Sequence, residues 1–542
     1  MELMGAQVEI DRPTDAPHRK SDAEKAAVRE LPRFSAVPLA ASLELLRQVF
    51  DDAGLDEKTS ARVVDLFGRW LRERSSAAEA GTPSSVRRLL WRGRVDQAVR
   101  TLRELGDPAR RGTEAEGPFR DVIDWISCWY PGLRVRPAGA DHGADRIVEV
   151  ATGLEGVRVL SAFLAGHEGQ RAVTRAEQVL RLCPMGDTAL DSLTAALVTL
   201  VYADRADLAR RWCEPLLEQT TAHCAPSWQG MLAAIRAETA VRQGRLLEAE
   251  RCAHTALTHM PAAAWGVALG FPLAAMVIAK VGMGKYEGAA RYLAVPVPEA
   301  MFETPVGLHY LFARGGYRLA TGAAEAALAD FRTCGDLMGR WGVDLPGIVA
   351  WRLGAARACL DLGRIREART LVDDQLAALG PAMTRTRGVA TRLRAATLAV
   401  EARPAVLEEA VEILQASQDR FELALALVEL GCAHSRLGES HRARAVQRRA
   451  RHIANFCGAE SLTDALSRSL PGPPKSPVPV SPGDADLSDA ERRVATLASQ
   501  GYTNRQISGK LYITVSTVEQ HLTHIYRKLG VSSRVDLPAF LD

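Results

Sequence analysis

The chain has 542 residues, 47% of them hydrophobic, which is enough for several folded domains with large cores. Its net charge of +3 is too small to indicate a nucleic-acid partner by itself. Nine cysteines are scattered without a CxxC pair, which argues against a disulfide framework or a zinc site and predicts buried thiols in a reducing cytoplasm.

The N-terminal part of the chain is polar. Residues 1–34 contain no apolar core segment and predict a flexible tail without a secretory signal. Residues 35–85 contain two amphipathic stretches and predict helices that lead into the next region. No run approaches the roughly 18 apolar residues needed to span a bilayer, so we expect a soluble, cytoplasmic protein without membrane contact.

One short pattern recurs through the middle of the chain: a helix, a glycine with a polar neighbour, and an alanine-rich second helix. From Gly244 to Gly363 the copies are 38 to 41 residues apart, and the gap from Gly363 to Gly438 is close to two such units. A degenerate copy is expected near Ala402, and Gly166 and Asp204 continue the period upstream. Helix pairs are therefore predicted over residues 86–468. The clearest copies lie at Gly93, Gly244, Gly284, Gly322, Gly363 and Gly438.

This period predicts an α-solenoid, because one helix pair cannot bury its apolar face alone and stacks on its neighbours. The array resembles tetratricopeptide repeats, with a longer period than their usual 34 residues. Such arrays present concave surfaces to peptides, proteins or small ligands, and the sequence does not choose among these. The fragment Gly282–Lys285 lacks the full phosphate-loop pattern and is expected to be an inter-helix turn. No cofactor, metal site or enzymatic activity is predicted.

The array is followed by a proline-rich segment and a compact C-terminal unit. Residues 469–485 contain six prolines and predict an extended, semi-rigid linker. At about 3.1 Å per residue, such a linker spans about 50 Å. Residues 486–542 then predict a separate four-helix domain, so the expected fold is all-α throughout.

The first two helices of this unit have clear sequence signals. The first is predicted from Asp489 to Gln500, with an apolar stripe at helical spacing. Thr503 and Gln506 are placed for a capping box that starts a second helix, which ends near Leu511. The predicted stripe of the first helix consists of Ala490, Val494, Leu497 and Ala498.

The third helix is predicted to start from a cap at Thr514 or Ser516 and to reach Leu529. Val518, Leu522, Ile525 and Leu529 recur on one face, which we expect to be buried. Short polar side chains of mixed charge lie on the other face, where they can meet base edges in a DNA groove or remain a solvated surface. From chemistry alone both interpretations are open. The outward residues are Ser516, Glu519, Gln520, Thr523 and Arg527.

The segment strongly resembles the LuxR-type (GerE-like, NarL-like) helix-turn-helix. With the array upstream, the chain also resembles the large ATP-binding regulators related to the maltose activator, without their NTPase domain. The resemblance implies a DNA-binding transcription regulator whose third helix enters the major groove. It is carried by Leu487, Glu491, Gly501, Asn504, Ile507, Leu511, Thr517, Val518, His521, Ile525, Lys528, Leu529, Gly530, Val531 and Arg534.

The resemblance also implies roles for single residues. Glu519, Gln520 and Thr523 are the candidate base readers, and Gln520 is the strongest because an amide pairs bidentately with adenine. A capping role is the alternative for Glu519. Phosphate contact, with capping or simple solvation as the alternative, is expected for Thr503, Asn504, Arg505, Thr517, Arg527, Lys528 and Arg534.

The fourth helix departs from the pattern because Pro538 either interrupts it or restricts it to one or two turns. The dimer interface of relatives is therefore in doubt here, and we expect any homo-oligomer to depend on the rest of the chain. A basic segment from Arg436 to Arg451 either caps the array as a solvated surface or contacts flanking DNA phosphates. The expected partners are double-stranded DNA and, at the array, RNA polymerase or a protein or small-molecule effector.

Together these features predict a cytoplasmic, nucleoid-associated regulator, expected to be an activator, whose array senses a signal or binds a partner. A second hypothesis makes the array the main functional part, as a protein-interaction scaffold targeted to DNA. A pull-down with the array separates the two, because a stable protein partner favours the scaffold.

Overall fold

The computed structural model describes residues 82–105, 113–133, 154–166, 169–183, 189–222, 226–380, 383–469, 487–499 and 502–529. All regular structure in these ranges is helical, which confirms the predicted all-α fold. The chain divides into two compact units, Met1–Arg468 and Ser469–Asp542. The predicted tail, the helices expected before residue 82 and the proline-rich segment 470–485 lie outside the described residues.

The first part of the array consists of helices α1 to α12. Short 3-10 turns at Gly266–Leu269 and Glu299–Glu303 connect some of them. In chain order, the helices span Pro83–Trp91, Val95–Leu105, Thr113–Trp129, Glu155–Leu164, Gly169–Leu182, Leu190–Tyr202, Ala206–Ala222, Pro226–Arg242, Leu246–His259, Ala262–Trp265, Gly270–Gly282 and Tyr286–Leu293.

The second part of the array consists of helices α13 to α21, and the C-terminal unit of α22 to α24. A 3-10 turn at Val400–Ala402 precedes α18. These helices span Pro305–Ala320, Ala324–Trp341, Trp351–Asp361, Ile365–Ala378, Thr384–Ala396, Arg403–Ser417, Arg420–Arg436, Ser440–Cys457, Glu460–Ser469, Asp489–Ser499, Asn504–Leu511 and Val515–Leu529.

The predicted helix pairs are present. Each glycine of the repeat pattern lies between two helices with a left-handed backbone, with φ between 64° and 84°. Gly166 and Asp204 take the same conformation, at φ 81° and 62°, between the upstream pairs. The degenerate copy near Ala402 is the pair α17 and α18. Small residues bring paired helices close: Ala249, Ala253 and Ala256 of α9 are fully buried.

Turns of early repeats contact the helix starts of late repeats. The backbone N–H of Arg420, at the start of α19, donates to the carbonyl of Gln243 at 3.2 Å. Beside it, a Cβ added to Gly244 would lie 2.1 Å from the backbone nitrogen of Phe421. The array is therefore not an open solenoid in which each repeat contacts only its neighbours.

Charged side chains reinforce this contact. Arg385 Nε donates to the carbonyl of Arg242 at 3.1 Å and to the carboxylate of Asp419 at 2.8 Å. Asp204 accepts from the backbone N–H of Thr386 at 3.1 Å, across 182 residues of sequence. We call the contact of residues 204 and 242–244 with residues 385–386 and 419–421 the long-range closure.

A buried ion network lies next to the closure. Arg392 is 3% exposed and donates to Glu422 from Nε at 3.1 Å and from Nη2 at 2.7 Å, while Nη1 bonds to Glu429. Burial alone would lower the pKa of Arg392, but the charges of Glu422 and Glu429 outweigh it and hold this pKa above its ordinary value. The guanidinium therefore stays charged in the interior.

The expectation that no segment is long and apolar enough to span a membrane was wrong. Ala262–Gly282 meets that criterion, and 78% of its apolar window is buried inside the structure. Gly266, with a positive φ of 52°, breaks the segment, and the Trp265 indole donates to the Met260 carbonyl at 3.1 Å. In this structure the segment is a core element of the array, where length and apolarity serve packing.

The fragment that partly resembles a phosphate-binding loop is a turn, as predicted. Gly282 ends α11 and Lys285 precedes α12. A Cβ on Gly284 would lie 2.8 Å from the Cβ of Ser461, so the turn packs against a distant part of the array. The glycines of this fragment are therefore explained by helix packing.

The cysteines of the described residues are free thiols. The prediction of buried thiols holds for a majority of them and was wrong for Cys432, which is exposed on α19. Cys183 and Cys252 are half-buried. The buried thiols are Cys128, Cys213, Cys334, Cys359 and Cys457.

Candidate DNA-binding site

The three described helices of the C-terminal unit enclose a small core. Val518, Leu522 and Ile525 of α24 are 0 to 5% exposed, which confirms the predicted inner face of this helix. Opposite them, α22 contributes Val494 and α23 contributes Ile507, both almost fully buried. The side chain of Leu529 lies outside the described residues. This core fixes which face of α24 is turned toward solvent.

The first helix differs from its predicted stripe. Ala490 is exposed, and the neighbouring Glu491 is only 5% exposed. The backbone N–H of Ser488 donates to the Glu491 carboxylate at 2.8 Å, and the Glu491 N–H donates back to the Ser488 hydroxyl at 3.3 Å. This reciprocal cap starts α22 at Asp489. The sequence does contain the Ser-x-x-Glu pattern of this cap, but apolar spacing alone does not indicate that Glu491 is buried.

The second helix starts as predicted. Thr503 Oγ1 accepts from the backbone N–H of Gln506 at 3.3 Å, and the Gln506 side chain accepts from the Thr503 N–H at 2.9 Å. The capping box is therefore confirmed. Because the Thr503 hydroxyl takes part in this cap, it holds the start of α23 in a defined orientation.

A tight turn joins α23 to α24. Tyr512 ends α23 in a left-handed conformation, with φ 55°, and is 95% exposed. Ile513 is half-buried against the core, as expected of a residue that plugs it. Of the two predicted caps, Thr514 is the one used: its hydroxyl accepts from the Thr517 N–H at 3.1 Å. The order helix, turn, helix is thus present.

The three candidate base readers share the exposed face of α24. Glu519, Gln520 and Thr523 are all exposed, on the side opposite Val518 and Leu522. The Thr523 hydroxyl donates to the Glu519 carbonyl at 2.9 Å, so its hydrogen is used within the helix and its lone pairs face outward. This face offers an amide, a hydroxyl and a carboxylate within about two helical turns.

The candidate phosphate contacts occupy different environments. Arg505 is exposed, Asn504 is half-buried, and Thr503 and Thr517 belong to the two caps. The side chain of Arg527 and all of Arg534 lie outside the described residues, as does Pro538 with the predicted fourth helix.

Lys528 forms an ion pair that the sequence did not reveal. Its ammonium group lies 2.7 Å from the carboxylate of Glu491, and its side chain is 36% exposed. The hydrogen bond from Lys528, aided by the backbone N–H of Ser488, lowers the pKa of Glu491 to about 2. Lys528 therefore ties the end of α24 to the start of α22. Its expected phosphate contact stays a prediction.

Low pH should weaken the ion pair between Lys528 and Glu491. The pKa of Glu491 is about 2 in the folded unit against an ordinary value of 4.5. The ionised carboxylate therefore stabilises the folded unit fully above pH 4.5, and this stabilisation is lost as pH falls toward 2. We expect the protection of the α22 amides, meaning their hydrogen-exchange rate compared with the intrinsic rate at the same pH, to decrease over that range when exchange is followed by mass spectrometry. Glu491→Gln, the control, should exchange faster at pH 7, and its protection should decrease less as the pH is lowered. An identical pH dependence in both proteins would contradict the assignment.

Residues 485–540 match the family described as bacterial regulatory proteins, luxR family (GerE). This match spans the capped helices, the turn and the exposed face of α24. The C-terminal unit is a luxR-family helix-turn-helix domain. The LuxR-type resemblance of the sequence is thereby confirmed, and the roles that it implies for single residues stay predictions.

Proteins with similar luxR-type domains include regulators of different size. An HTH-type transcriptional regulator of Mycobacterium bovis is 46% identical over 55 residues, which are 10% of this chain and 6% of that protein. The oxygen regulatory protein NreC of Staphylococcus aureus is 45% identical over 51 residues, 9% of this chain and 24% of NreC. The chain thus covers only a small part of these relatives, and the similarity is confined to the luxR-type domain.

Among solved structures, a Rap protein complexed with competence and sporulation factor is similar to this chain, with a TM-score of 0.46 and 12% identity. The match covers 71% of this chain and 99% of the Rap chain. No functional conclusion follows from a likeness of this size.

Proposed function

We propose that this protein is a sequence-specific DNA-binding transcription regulator that acts as an activator. The observation that supports this most is the exposed face of α24, where Glu519, Gln520 and Thr523 stand on a luxR-type domain. The opposite face is buried, so this is the side of the helix that can enter a major groove. The expected location is the cytoplasm, in association with the nucleoid.

Base reading and positioning are assigned to different residues. Gln520 reads adenine through its amide, and Thr523 and Glu519 contact neighbouring bases, since a carboxylate accepts from cytosine. Phosphate contacts set the register of the domain on the duplex without reading sequence. These contacts are assigned to Thr503, Asn504, Arg505, Thr517, Arg527, Lys528 and Arg534.

The helical array is assigned the regulatory part. It senses a signal or binds a partner, which is RNA polymerase or a protein or small-molecule effector, and the protein acts as a homo-oligomer. The alternative is a protein-interaction scaffold that the luxR-type domain targets to DNA. A stable protein partner captured by the full chain favours the scaffold, whereas a small molecule that shifts its melting temperature favours a sensor.

The test of the proposed function is genome-wide footprinting with the purified full chain. We expect a limited set of sites that share a sequence motif, and the absence of any preferred site would refute the proposal. A palindromic motif would indicate a dimer on DNA, because operator symmetry mirrors protein symmetry. Measurable ATP hydrolysis by the purified protein would contradict the assignment of a purely DNA-binding role.

Gln520→Ala should relax the base preference at one position of the motif. An amide contact with adenine discriminates against other bases by about 1–3 kcal/mol, which is roughly 5- to 150-fold in affinity. The measurement is binding of the variant to the motif and to its three single-base substitutions at each position. Thr496→Ala, an exposed change on α22, is the control and should keep all preferences. Loss of affinity without a change in preference would contradict base reading by Gln520.

A further inference from the structure

Helix α20 is rich in arginine. Between Ser440 and Cys457 the sequence has five arginines and no carboxylate. The inner face packs through uncharged side chains such as Ala443, Ala450 and Ala454, which are almost fully buried. Four of the arginines are exposed, and we call them the α20 arginine face: Arg442, Arg444, Arg448 and Arg449.

Helix α17 shows what structural use of arginines looks like in this array. It contains four arginines and no carboxylate: Arg385 and Arg392 pair with the carboxylates of Asp419 and Glu422, Arg387 donates to a backbone carbonyl, and Arg394 lies 3.7 Å from Asp373. In α20, Arg442 lies 3.4 Å from Glu439 with 70% of its side chain exposed, and Arg449 donates to Gln415. Among the described residues, Arg444 and Arg448 have no hydrogen bond or ion pair from their side chains. Folding of the array does not account for the charges of Arg444 and Arg448.

A solvated capping surface does not account for them either. Exposed helix faces of soluble proteins usually mix both signs of charge. The helices α9, α14, α16 and α18, which also come second in their pairs, all carry carboxylates as well as basic groups. Helix α20 differs from these helices because its charged side chains are all basic, and this produces a local positive field near the end of the array.

The chemistry of the face favours phosphate over a protein partner. Guanidinium groups match phosphate oxygens bidentately, whereas stable protein interfaces need an apolar centre. The large apolar side chain exposed on α20 is Phe456, and the guanidinium of Arg420 covers its ring at 4.2 Å. From Arg442 to Arg449 the helix rises about 10 Å, close to three base-pair steps of about 3.4 Å along one DNA strand.

We propose that the α20 arginine face binds the phosphate backbone of double-stranded DNA that flanks the site read by the luxR-type domain. This inference rests on the proposed function. Residues 470–486 connect α21 to the luxR-type domain, so the two surfaces belong to one chain and the second contact is intramolecular once the first has formed. The face adds affinity without sequence preference.

The test compares two duplexes that contain the same footprinted motif. The short duplex ends at the motif, and the long duplex extends it on both sides by about two helical turns of roughly 10.5 base pairs. The full chain is compared with a variant that carries R442A, R444A, R448A and R449A. A matched control removes four exposed charges elsewhere, with R171A, R181A, R251A and R366A.

We expect the unaltered chain to bind the long duplex about 10-fold or more tightly than the short one, because each phosphate contact releases counterions. The four-arginine variant should lose this preference. The slope of log affinity against log salt on the long duplex should decrease in magnitude by about 2–4, at about 0.9 per phosphate. The control should keep both the preference and the slope.

The possible failures are distinguishable. If the variant matches the unaltered chain on the long duplex, the inference is wrong while the proposed function stands, and an acidic protein becomes the better candidate partner. An equal loss on both duplexes also overturns the inference, because a flanking contact cannot affect a duplex without flanks. If the unaltered chain does not prefer the motif over random DNA, the proposed function fails and the inference with it.

Discussion

Gly244→Ala is expected to destabilise the helical array by about 2–5 kcal/mol. The left-handed backbone costs an alanine roughly 1–2 kcal/mol, and overpacking adds about 1–3 kcal/mol. The overpacking arises because the new Cβ would lie 2.1 Å from the backbone nitrogen of Phe421, at φ 64° for residue 244. The long-range closure must therefore separate. Urea unfolding followed by tryptophan fluorescence gives the loss of stability.

Gly363→Ala provides a matched control. Gly363 occupies the same turn position in a later repeat, with φ 74°, and a Cβ there would meet nothing within 4 Å. Only the backbone cost of roughly 1–2 kcal/mol should remain. Hydrogen exchange should accelerate at residues 385–386 and 419–421 in Gly244→Ala and not in Gly363→Ala. Equal effects of the two substitutions would show that the closure contributes nothing to stability.

Arg392→Met is expected to have a comparable or larger effect, about 3–5 kcal/mol, because it leaves the buried carboxylate of Glu422 without its hydrogen-bond partner. Glu422 is 9% exposed, and its pKa is now held below the ordinary value against the effect of burial. Without the guanidinium this pKa should rise. Because a carboxyl with a raised pKa becomes protonated and neutral in acid, the loss of unfolding free energy should be largest at neutral pH and smaller as pH falls toward 4. Urea unfolding at pH 7 and pH 5 measures both quantities.

Two further variants test the mechanism of this loss. Arg394→Met removes an exposed arginine of the same helix, 3.7 Å from Asp373, and should cost at most about 1 kcal/mol because exposed ion pairs contribute little. The double substitution R392M with E422M should recover part of the stability, since an apolar pair avoids the unpaired charge. No recovery would indicate that lost packing, and not charge, causes the effect.

Local signals in the sequence predicted the local parts of this structure. Gly244 and Gly363 each separate two helices, and a repeated glycine at a regular period is sufficient to place such turns. The exposed position of Gln520 followed from the spacing of Val518 and Leu522, because a helical period fixes the opposite face. For the same reason the capping box at Thr503 was predictable from a four-residue pattern.

The long-range parts could not be predicted in this way. The closure between Gly244 and Phe421 has no local signature, since a left-handed glycine also occurs at turns such as Gly363, on which no other repeat packs. Lys528 pairs with Glu491 across 37 residues of sequence. The burial of Glu491 in place of Ala490 was missed because a carboxylate that caps its own helix can be buried, which an apolar pattern does not indicate.

The long-range closure also bears on how this array can change over evolutionary time. In an open solenoid, duplication or loss of one unit leaves every remaining interface intact, because each unit contacts only its neighbours. Here one inserted unit anywhere between Gly244 and Phe421 would shift the two contacting edges out of register. The number of repeats between Gly244 and Phe421 is thus fixed by geometry. Related proteins should gain or lose repeats at the ends of the array or not at all.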